Sequence, residues 1–532
     1  MTRPIASIDS MPARYLPPTA QLLVQGGDAR IALDPDSLNK YGCSPFPDAG
    51  LLALGSSTAS GISAAGYAAA DSLRSRLLHA VAPDAVLYAA ELNRIRLELL
   101  ELCGVSALPG VEIVFAASGT DLHLIAAQIG GAADTAPVLA LMVDAQETGS
   151  GVPSALAGRH FSNRAALGDA VIEGDFISAR IATDRAIVVA TVAIRLADGT
   201  PRPISDIDEE FAARATAAAA LGQRVLLVLA DISKTGMLAP SPACVLELQR
   251  KLPGTIDVLV DACQFRIAPA TLQAYLQHGF MVALTGSKFV TGPPFSAALL
   301  IPAAAASRLR SAPLPRSLSA YSTRADWPAG WDTAALRNDI PNFGLLLRWQ
   351  AALQELRAFR ALPETAVSDF LQKFARAIGD RLHSDPAFEP LPVPALDRRP
   401  LTSDATWDHT QTIFPFLLFH PPANAVTLPL SREQTIRVYR LLQIDLSDHP
   451  DADAMPLSGA LAALRCQLGQ PVACGTRYGV AVSALRLCAS ARLVVEGCAQ
   501  GGRNASAVIA TALAALDKTA LLALSARNQE EH

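Results

Sequence analysis

Seven short runs of nearly unbroken apolar, β-rich sequence recur along the first three fifths of the chain, at 111–117, 138–143, 186–194, 225–230, 256–260, 280–284 and 297–301. A strand covered on both faces is apolar at every position, whereas a half-exposed strand alternates. These runs therefore predict a mainly parallel sheet buried between two layers. Between most of them lie Ala/Leu/Arg stretches with helical spacing, such as 211–221 and 244–251. Strand–helix alternation through 76–302 predicts a doubly wound α/β domain with a seven-stranded sheet. The last two strands are joined only by Gly-Ser-Lys-Phe-Val-Thr-Gly-Pro-Pro-Phe, too short for a helical crossover, so that pair is expected to be antiparallel.

Outside this domain the pattern changes. Residues 1–75 have weak periodicity and are expected to form an arm packing on both domains. Residues 303–345, rich in Pro, Ser, Arg and Trp, look like an excursion loop. A helix then starts near Asn342 and runs to about Phe359, with Leu345, Leu346, Leu353 and Leu356 on its apolar positions. The remainder, 346–532, predicts a smaller α+β domain: helix, strand at 412–419, helix at 432–442, strand at 485–487 and a terminal helix.

Composition narrows the function classes. In 532 residues, 51% are hydrophobic and 17% charged, so a large core is available and wholesale disorder is excluded. The net charge of −5 argues against a nucleic-acid binder working through a basic surface. Eight cysteines are scattered without a Cys-x-x-Cys pair, which points to free thiols in a reducing cytoplasm and to no metal site. No run of about 20 apolar residues lacks both charge and proline, so no membrane span is expected. Of the 44 basic residues only six are lysines: Lys40, Lys234, Lys251, Lys288, Lys373 and Lys518. A lysine in an apolar setting therefore asks for a reason.

Lys288 is such a lysine. It lies just past the C-terminal end of the sixth run, in Thr285-Gly-Ser-Lys288, where open parallel sheets bind ligands. There an amine can attack a carbonyl, or the side chain can simply reach the surface. Asp261 ends the preceding run and would face the same edge, although a carboxylate there also serves as a helix cap. A lysine and an aspartate on adjacent strand ends suit pyridoxal phosphate: the lysine forms the Schiff base, and the carboxylate keeps the pyridine nitrogen protonated. Gln264 could reach the ring's phenolic oxygen. Ser118-Gly119-Thr120 leads from the first strand into a helix and offers hydroxyls and N–H groups for a phosphate, but equally an ordinary helix start. Thr285 and Ser287 add two hydroxyls.

With these residues assembled, the sequence resembles fold type I pyridoxal phosphate enzymes, and within them the class V aminotransferase and cysteine desulfurase group. The features are Asp-x-x-Gln at Asp261, Thr-Gly-Ser-Lys 27 positions later at Lys288, and Gly292-Pro293 after it. Ser118-Gly-Thr120 stands where that group binds phosphate. Ser233-Lys-Thr-Gly236 followed by Pro240 resembles its Asn-x-x-Gly…Pro loop, whose first residue touches the ring oxygen. Arg486 resembles the arginine that holds a substrate α-carboxylate. The likeness covers about 110–302 well and 410–490 loosely. Two positions depart from the group: Ser287 replaces the usual His before the lysine, and Glu147 or Thr148 stands where a ring normally stacks on the cofactor. His123 is a second candidate for that neighbourhood, or a satisfied helix-face histidine.

The resemblance implies an enzyme acting on a small amino-acid substrate through Lys288, by aminotransferase or lyase chemistry at Cα or Cβ. Desulfuration is the alternative and needs a reactive cysteine on a loop near Arg486, for which Cys466 and Cys474 are candidates. A non-catalytic protein that keeps the fold is the third reading. The resemblance also implies a homodimer, with Tyr321, Ser322, Arg324 and Asn342 as candidates for completing a neighbour's site.

Overall fold

The computed structural model describes residues 14–130, 136–178, 187–310, 312–338, 340–402, 406–420, 428–447 and 459–525. Residues 1–13 of the expected arm, Ala186 at the start of the third run and the last seven residues lie outside this set. All seven apolar runs form strands: β1 Glu112–Ala116, β2 Val138–Val143, β3 Ile187–Val192, β4 Arg224–Asp231, β5 Ile256–Asp261, β6 Met281–Thr285 and β7 Ala297–Ile301. Their order across the sheet is β1-β7-β6-β5-β4-β2-β3. Of these seven only β7 runs against its neighbours, pairing antiparallel with both β1 and β6, as the short connection requires; an eighth, two-residue strand at Leu238–Ala239, too short to show in the sequence pattern, adds antiparallel to the end of β4.

Successive side chains of each strand enter different cores. Ile113 and Phe115 join Leu139 and Leu141 on one face, while Val114 and Ala116 join Ala140 and Met142 on the other. The first face is covered by α1 Ala64–His79 and α3 Phe343–Arg360. The second is covered by α2 Gly119–Ile129 and, unexpectedly, by 314–336. Far from an open loop, 303–345 contains a helix at Ala303–Arg310 and buries Leu318, Tyr321, Trp327 and Trp331 against the sheet. Its aromatic content, taken above as irregular, is what seals that face. The break expected at residue 75 falls inside α1.

The small domain is a four-stranded antiparallel sheet, ordered β8 Phe388–Pro390, β9 Ile413–Leu418, β11 Val480–Cys488 and β10 Gly469–Arg477. Its helices are α4 Glu364–Ser384, α5 Arg432–Leu441, α6 Ala491–Gly502 and α7 Ala505–Ser525. No apolar periodicity announces β10, because Gly469, Pro471 and Gly475 interrupt it. The ladder absorbs them through register shifts between Gly469 and Val472 and between Ala473 and Thr476. By length and composition α7 could cross a membrane. Here Val508, Leu516 and Leu522 pack in the small-domain core, and the buried Lys518 Nζ donates to the carbonyls of Ile444, Ala462 and Leu464.

Buried polar contacts join the domains. Arg398, fully buried, donates from Nε and Nη2 to Asp231 at the end of β4, at 2.8 and 2.7 Å. Arg266, beyond β5, donates to Thr412 Oγ1, Ala489 O and, in the arm, Ser56 Oγ. Deleting one member of a buried pair strands the other charge in low dielectric. Arg398→Met is therefore expected to lower the unfolding free energy by about 3–5 kcal/mol. Adding Asp231→Leu should recover part of that loss, and denaturant midpoints of the two variants check both.

Candidate active site

Where the chain leaves the C-terminal ends of β4, β5 and β6 it bends sharply. Ile232 (φ 65°), Phe265 (φ 55°), Thr291 (φ 65°) and Phe295 (φ 71°) are all buried and all left-handed. Each costs on the order of 1–3 kcal/mol and persists only where packing dictates it. The turns open onto a cavity of about 240 Å³. Its walls bring together Lys288, Asp261, Ser118, Gly119, Thr120, Thr148, Ser233, Gln264, Thr285, Ser287 and Arg486.

The lysine turn is clamped from outside. A Cβ at Gly286 would come within 2.6 Å of the Ala352 methyl on α3, and one at Gly292 within 2.5 Å. Glycine at both positions lets α3 press on the turn, with Gly292 N–H donating to Gly286 O and Thr291 N–H to Lys288 O. The half-buried Lys288 side chain thus projects from a fixed backbone into the cavity.

Asp261 faces it from the end of β5. Its Oδ2 lies 3.4 Å from His123 Nε2, an ion-pair distance without hydrogen-bond alignment. His123 Nδ1 lies 2.7 Å from Gly119 O, an acceptor only, so this nitrogen carries a proton. Nε2 turned toward a carboxylate then holds a proton as well, and the ring is an imidazolium. Burial opposes both charges, yet the pair outweighs it: His123 is raised above the ordinary histidine value, and Asp261 is held below the carboxylate range by His123 first and Lys288 next. His123 is therefore neither a ring cover nor an idle helix-face residue; it keeps Asp261 ionised.

At the head of α2, Ser118 and Asp121 form a capping box. Asp121 Oδ2 accepts from Ser118 N–H and Oγ, so those groups are committed. Burial and the nearby Asp28 push the Asp121 carboxyl up to about 7. Among the described residues, the N–H groups of Gly119 and Thr120 find no acceptor. Arg30, from the arm, reaches over this helix head, donating to Ser118 Oγ and Thr120 Oγ1 at 3.2 Å while pairing with Asp28. Exposed N–H groups, a hydroxyl and a guanidinium at a helix N-terminus form an anion seat.

Several expected hydroxyl contacts are already engaged. Thr285 Oγ1 donates to Cys263 O, Gln264 Nε2 to Ser57 O, and Ser233 Oγ to Glu147 Oε2. Glu147 accepts from Ser233, from Thr235 N–H and Oγ1, and from Arg195 Nε. A carboxylate so enclosed is no free acid or base. The groups left over are Thr148 Oγ1, Ser57 Oγ and Arg486 Nε, all buried in the cavity wall without a hydrogen-bond partner among the described residues. Each can donate, so the cavity suits a molecule rich in anionic oxygens.

Arg486 lies on β11, fully buried, with Nη1 donating to Lys234 O and Nη2 to Thr58 Oγ1 and Gln470 O. Gly469 opposite makes the room, since a Cβ there would sit 3.0 Å from Arg486 Nε. Other buried arginines without a carboxylate, Arg266 and Arg348, spend Nε and both Nη groups on acceptors; Arg486 leaves Nε free. Cys466 and Cys474 do not line the cavity; burial raises their thiols to about 12 and about 11. Cys263 alone of the eight cysteines lines it, with its thiol raised well above the ordinary value by burial. Tyr321, Ser322, Arg324 and Asn342 do not reach their own chain's cavity; Tyr321 bonds His160, and Asn342 caps α3.

Sequence reasoning missed Arg30, Lys40, Tyr41, Ser57 and Thr58, all from the arm, and gave no role to Lys234. One signal was available. Lys40, Lys234 and Lys288, three of the chain's six lysines, line this one cavity.

No protein-family model and no curated protein matches the chain. Solved structures do. A lysine-to-alanine variant of C-DES, with glycine covalently linked to its PLP cofactor, superposes with TM-score 0.51 at 14% identity over 88% of this chain and 99% of that one. The complex of the cystine C–S lyase C-DES with its product cysteine persulfide gives 0.48 at 14% identity over 87% and 98%. The cysteine desulfurase CsdA from Escherichia coli gives 0.48 at 14% identity over 88% and 94%. The first likeness establishes the fold: the chain has the doubly wound architecture with a smaller α+β domain that C-DES has, the fold type I arrangement.

Two outcomes follow from this geometry. Arg30→Met should weaken inorganic phosphate binding about tenfold or more by calorimetry, the worth of one charged hydrogen-bonding group; unchanged affinity would remove Arg30 from the anion seat. His123→Gln should destabilise most at low pH. The His123–Asp261 contribution is complete below about pH 6.5, the unfolded histidine value, and is lost as pH rises through the raised folded value. Thermal midpoints of both proteins from pH 5.5 to 9 should therefore converge at the alkaline end.

Proposed function

We propose that the protein is a pyridoxal 5′-phosphate-dependent enzyme acting on an α-amino acid, by transamination or lyase chemistry at Cα or Cβ. The observation that carries this reading is Lys288 and Asp261 on the exits of adjacent strands, facing one cavity whose unmatched groups are donors. The residues fit the cofactor. Gly119 and Thr120, with Arg30 above them, would hold the phosphate, Asp261 the pyridine nitrogen, and Thr148 would flank the ring. The fold shared with C-DES, a structure of which contains PLP, supports the same assignment.

When bound, the cofactor supplies an electron sink for a bond broken at the substrate's Cα. This chain's residues do the rest. Lys288 would hold the group covalently through Nζ and, as a free amine, would take or return the substrate's Cα proton. Asp261, kept ionised by His123, would hold the proton on the ring nitrogen. Arg486 orients the α-carboxylate through its free Nε–H. The buried walls exclude water from the reacting carbons.

Desulfuration ranks behind these reactions, because Cys466 and Cys474 lie outside the cavity and the Cys263 Sγ packs where a Gly119 Cβ would stand, 2.8 Å from it. Loaded with PLP, the protein should be yellow, and borohydride should fix the cofactor on the Lys288 peptide, read by mass spectrometry. Lys288→Ala should lose that attachment and about 10²–10⁴-fold in turnover; a cofactor still fixed to another residue would overturn the assignment. An amino-acid panel scored for 2-oxo acid, for ammonia with pyruvate and for sulfide separates the reaction types. A persulfide trapped on any of the eight cysteines would put desulfuration first.

A further inference from the structure

The charges around the cavity do not balance. Its lining carboxylates are Asp261, paired with His123, and Glu147, enclosed by Ser233, Thr235 and Arg195. Among its lining cations Arg30 has Asp28. Among the described residues, Lys40, Lys234, Lys288 and Arg486 form no ion pair within 4.0 Å. Lys288 is assigned to the cofactor, and Lys40 is exposed to solvent. Two cations remain inside, Lys234 and Arg486, and one α-carboxylate satisfies only one of them.

Lys234 is held there by its backbone. Its N–H donates to Glu147 O at 2.8 Å, and its carbonyl accepts from Arg486 Nη1 at 3.3 Å. Its neighbours Ser233 and Thr235 grip the Glu147 carboxylate and keep it from turning onto the ammonium. Burial, then the positive charges of Arg486 and Lys288, lower Lys234 to about 8. Its carbonyl accepts from Arg486 Nη1, so Lys234 belongs with Arg486 at the substrate end rather than with Arg30 at the helix head. Two like charges on one wall, with the nearby Glu147 carboxylate already saturated by its own hydrogen bonds, are costly in low dielectric unless a ligand brings further anions.

We infer that the substrate is an α-amino acid whose side chain ends in an acid group, with the α-carboxylate on Arg486 and the side-chain acid on Lys234. This rests on the cofactor assignment above for the identity of the reacting end, but not for the pairing of two anions with two cations. A monoacidic amino acid would leave the half-buried Lys234 without an ion pair beside Arg486. Specificity then comes from the cost of leaving that charge unmet as well as from the attraction itself.

The test uses unreactive acids: succinate and glutarate against butyrate, titrated calorimetrically at pH 7 into the full-length protein with and without PLP. Wild type should bind the better of the two diacids at least about ten times more tightly than butyrate. Lys234→Met should reduce that ratio about tenfold, and Lys234→Arg should keep most of it. Equal affinity for diacids and butyrate in wild type overturns the inference, and so does a ratio that Lys234→Met leaves untouched. Should Lys234→Met not fold, the wild-type ratio and its fall in Lys234→Gln decide. Failure to take up PLP would count against the cofactor assignment alone, because the titrations without PLP still read the diacid preference.

Discussion

A carboxylate that must stay ionised at the end of a fully buried strand constrains everything around the cavity. Asp261 cannot keep its charge in the interior without a cation, and His123 is that cation only because its other nitrogen donates to Gly119 O. One interaction thus ties β5 to the first turn of α2. The same turn presents the free N–H groups of Gly119 and Thr120 and receives Arg30 from the arm. The distance between the anion seat and the Asp261 carboxylate is therefore fixed by one helix and one strand, with a single histidine bridging them. A site built on rigid elements in this way holds its geometry better than one built on loops.

The second constraint is the seam. The cavity is walled by three segments distant in sequence: the arm, the strand ends of the large sheet, and β10 with β11 of the small domain. Their alignment depends on buried arginines. Arg266 reaches from beyond β5 to the small domain and to Ser56, and Arg398 reaches back to Asp231. A chain that favours arginine over lysine has good reason to do so here, since the planar fork satisfies several acceptors at once in a dry interface. Lysine is kept for places where a single flexible amine serves better: Lys288 at the reacting end, Lys518 under three carbonyls.

What could be read from the sequence follows the same physics. The parallel sheet was legible because double burial writes continuous apolar runs, and six of these seven strands both begin and end within a residue of the run that predicts them. Lys288 and Asp261 were legible because strand ends mark the ligand edge. Strand β10 was not, because its irregular ladder tolerates Gly and Pro that ordinarily forbid a strand. Arg30, Tyr41, Ser57 and Thr58 were invisible for another reason: they belong to a segment without periodicity that is positioned only by tertiary contacts, Arg30 lying 88 positions from the Ser118 it touches. The region at 303–345 was misjudged because buried tryptophans in non-repetitive backbone leave no period to count.

The oddest feature of the sequence, an acid-and-hydroxyl pair where a stacking ring was expected, has a structural explanation that involves a different part of the cavity. Glu147 does not face a ligand with a free carboxylate. Its side chain is the hub of the turn at 233–235, and its carbonyl accepts the Lys234 N–H. An aromatic ring at this position could stack on a cofactor but could not gather a serine hydroxyl, a threonine hydroxyl, an amide and the Arg195 guanidinium. Replacing it by glutamate therefore changes the loop that carries Lys234 as much as the surface that faces the ring. With the carboxylate saturated, Lys234 has no ion pair among the described residues, while Thr148 and Ser57 keep free hydroxyls toward the cavity. The altered ring position and this lysine thus meet in one turn, and together they support the reading that the site takes two carboxylates.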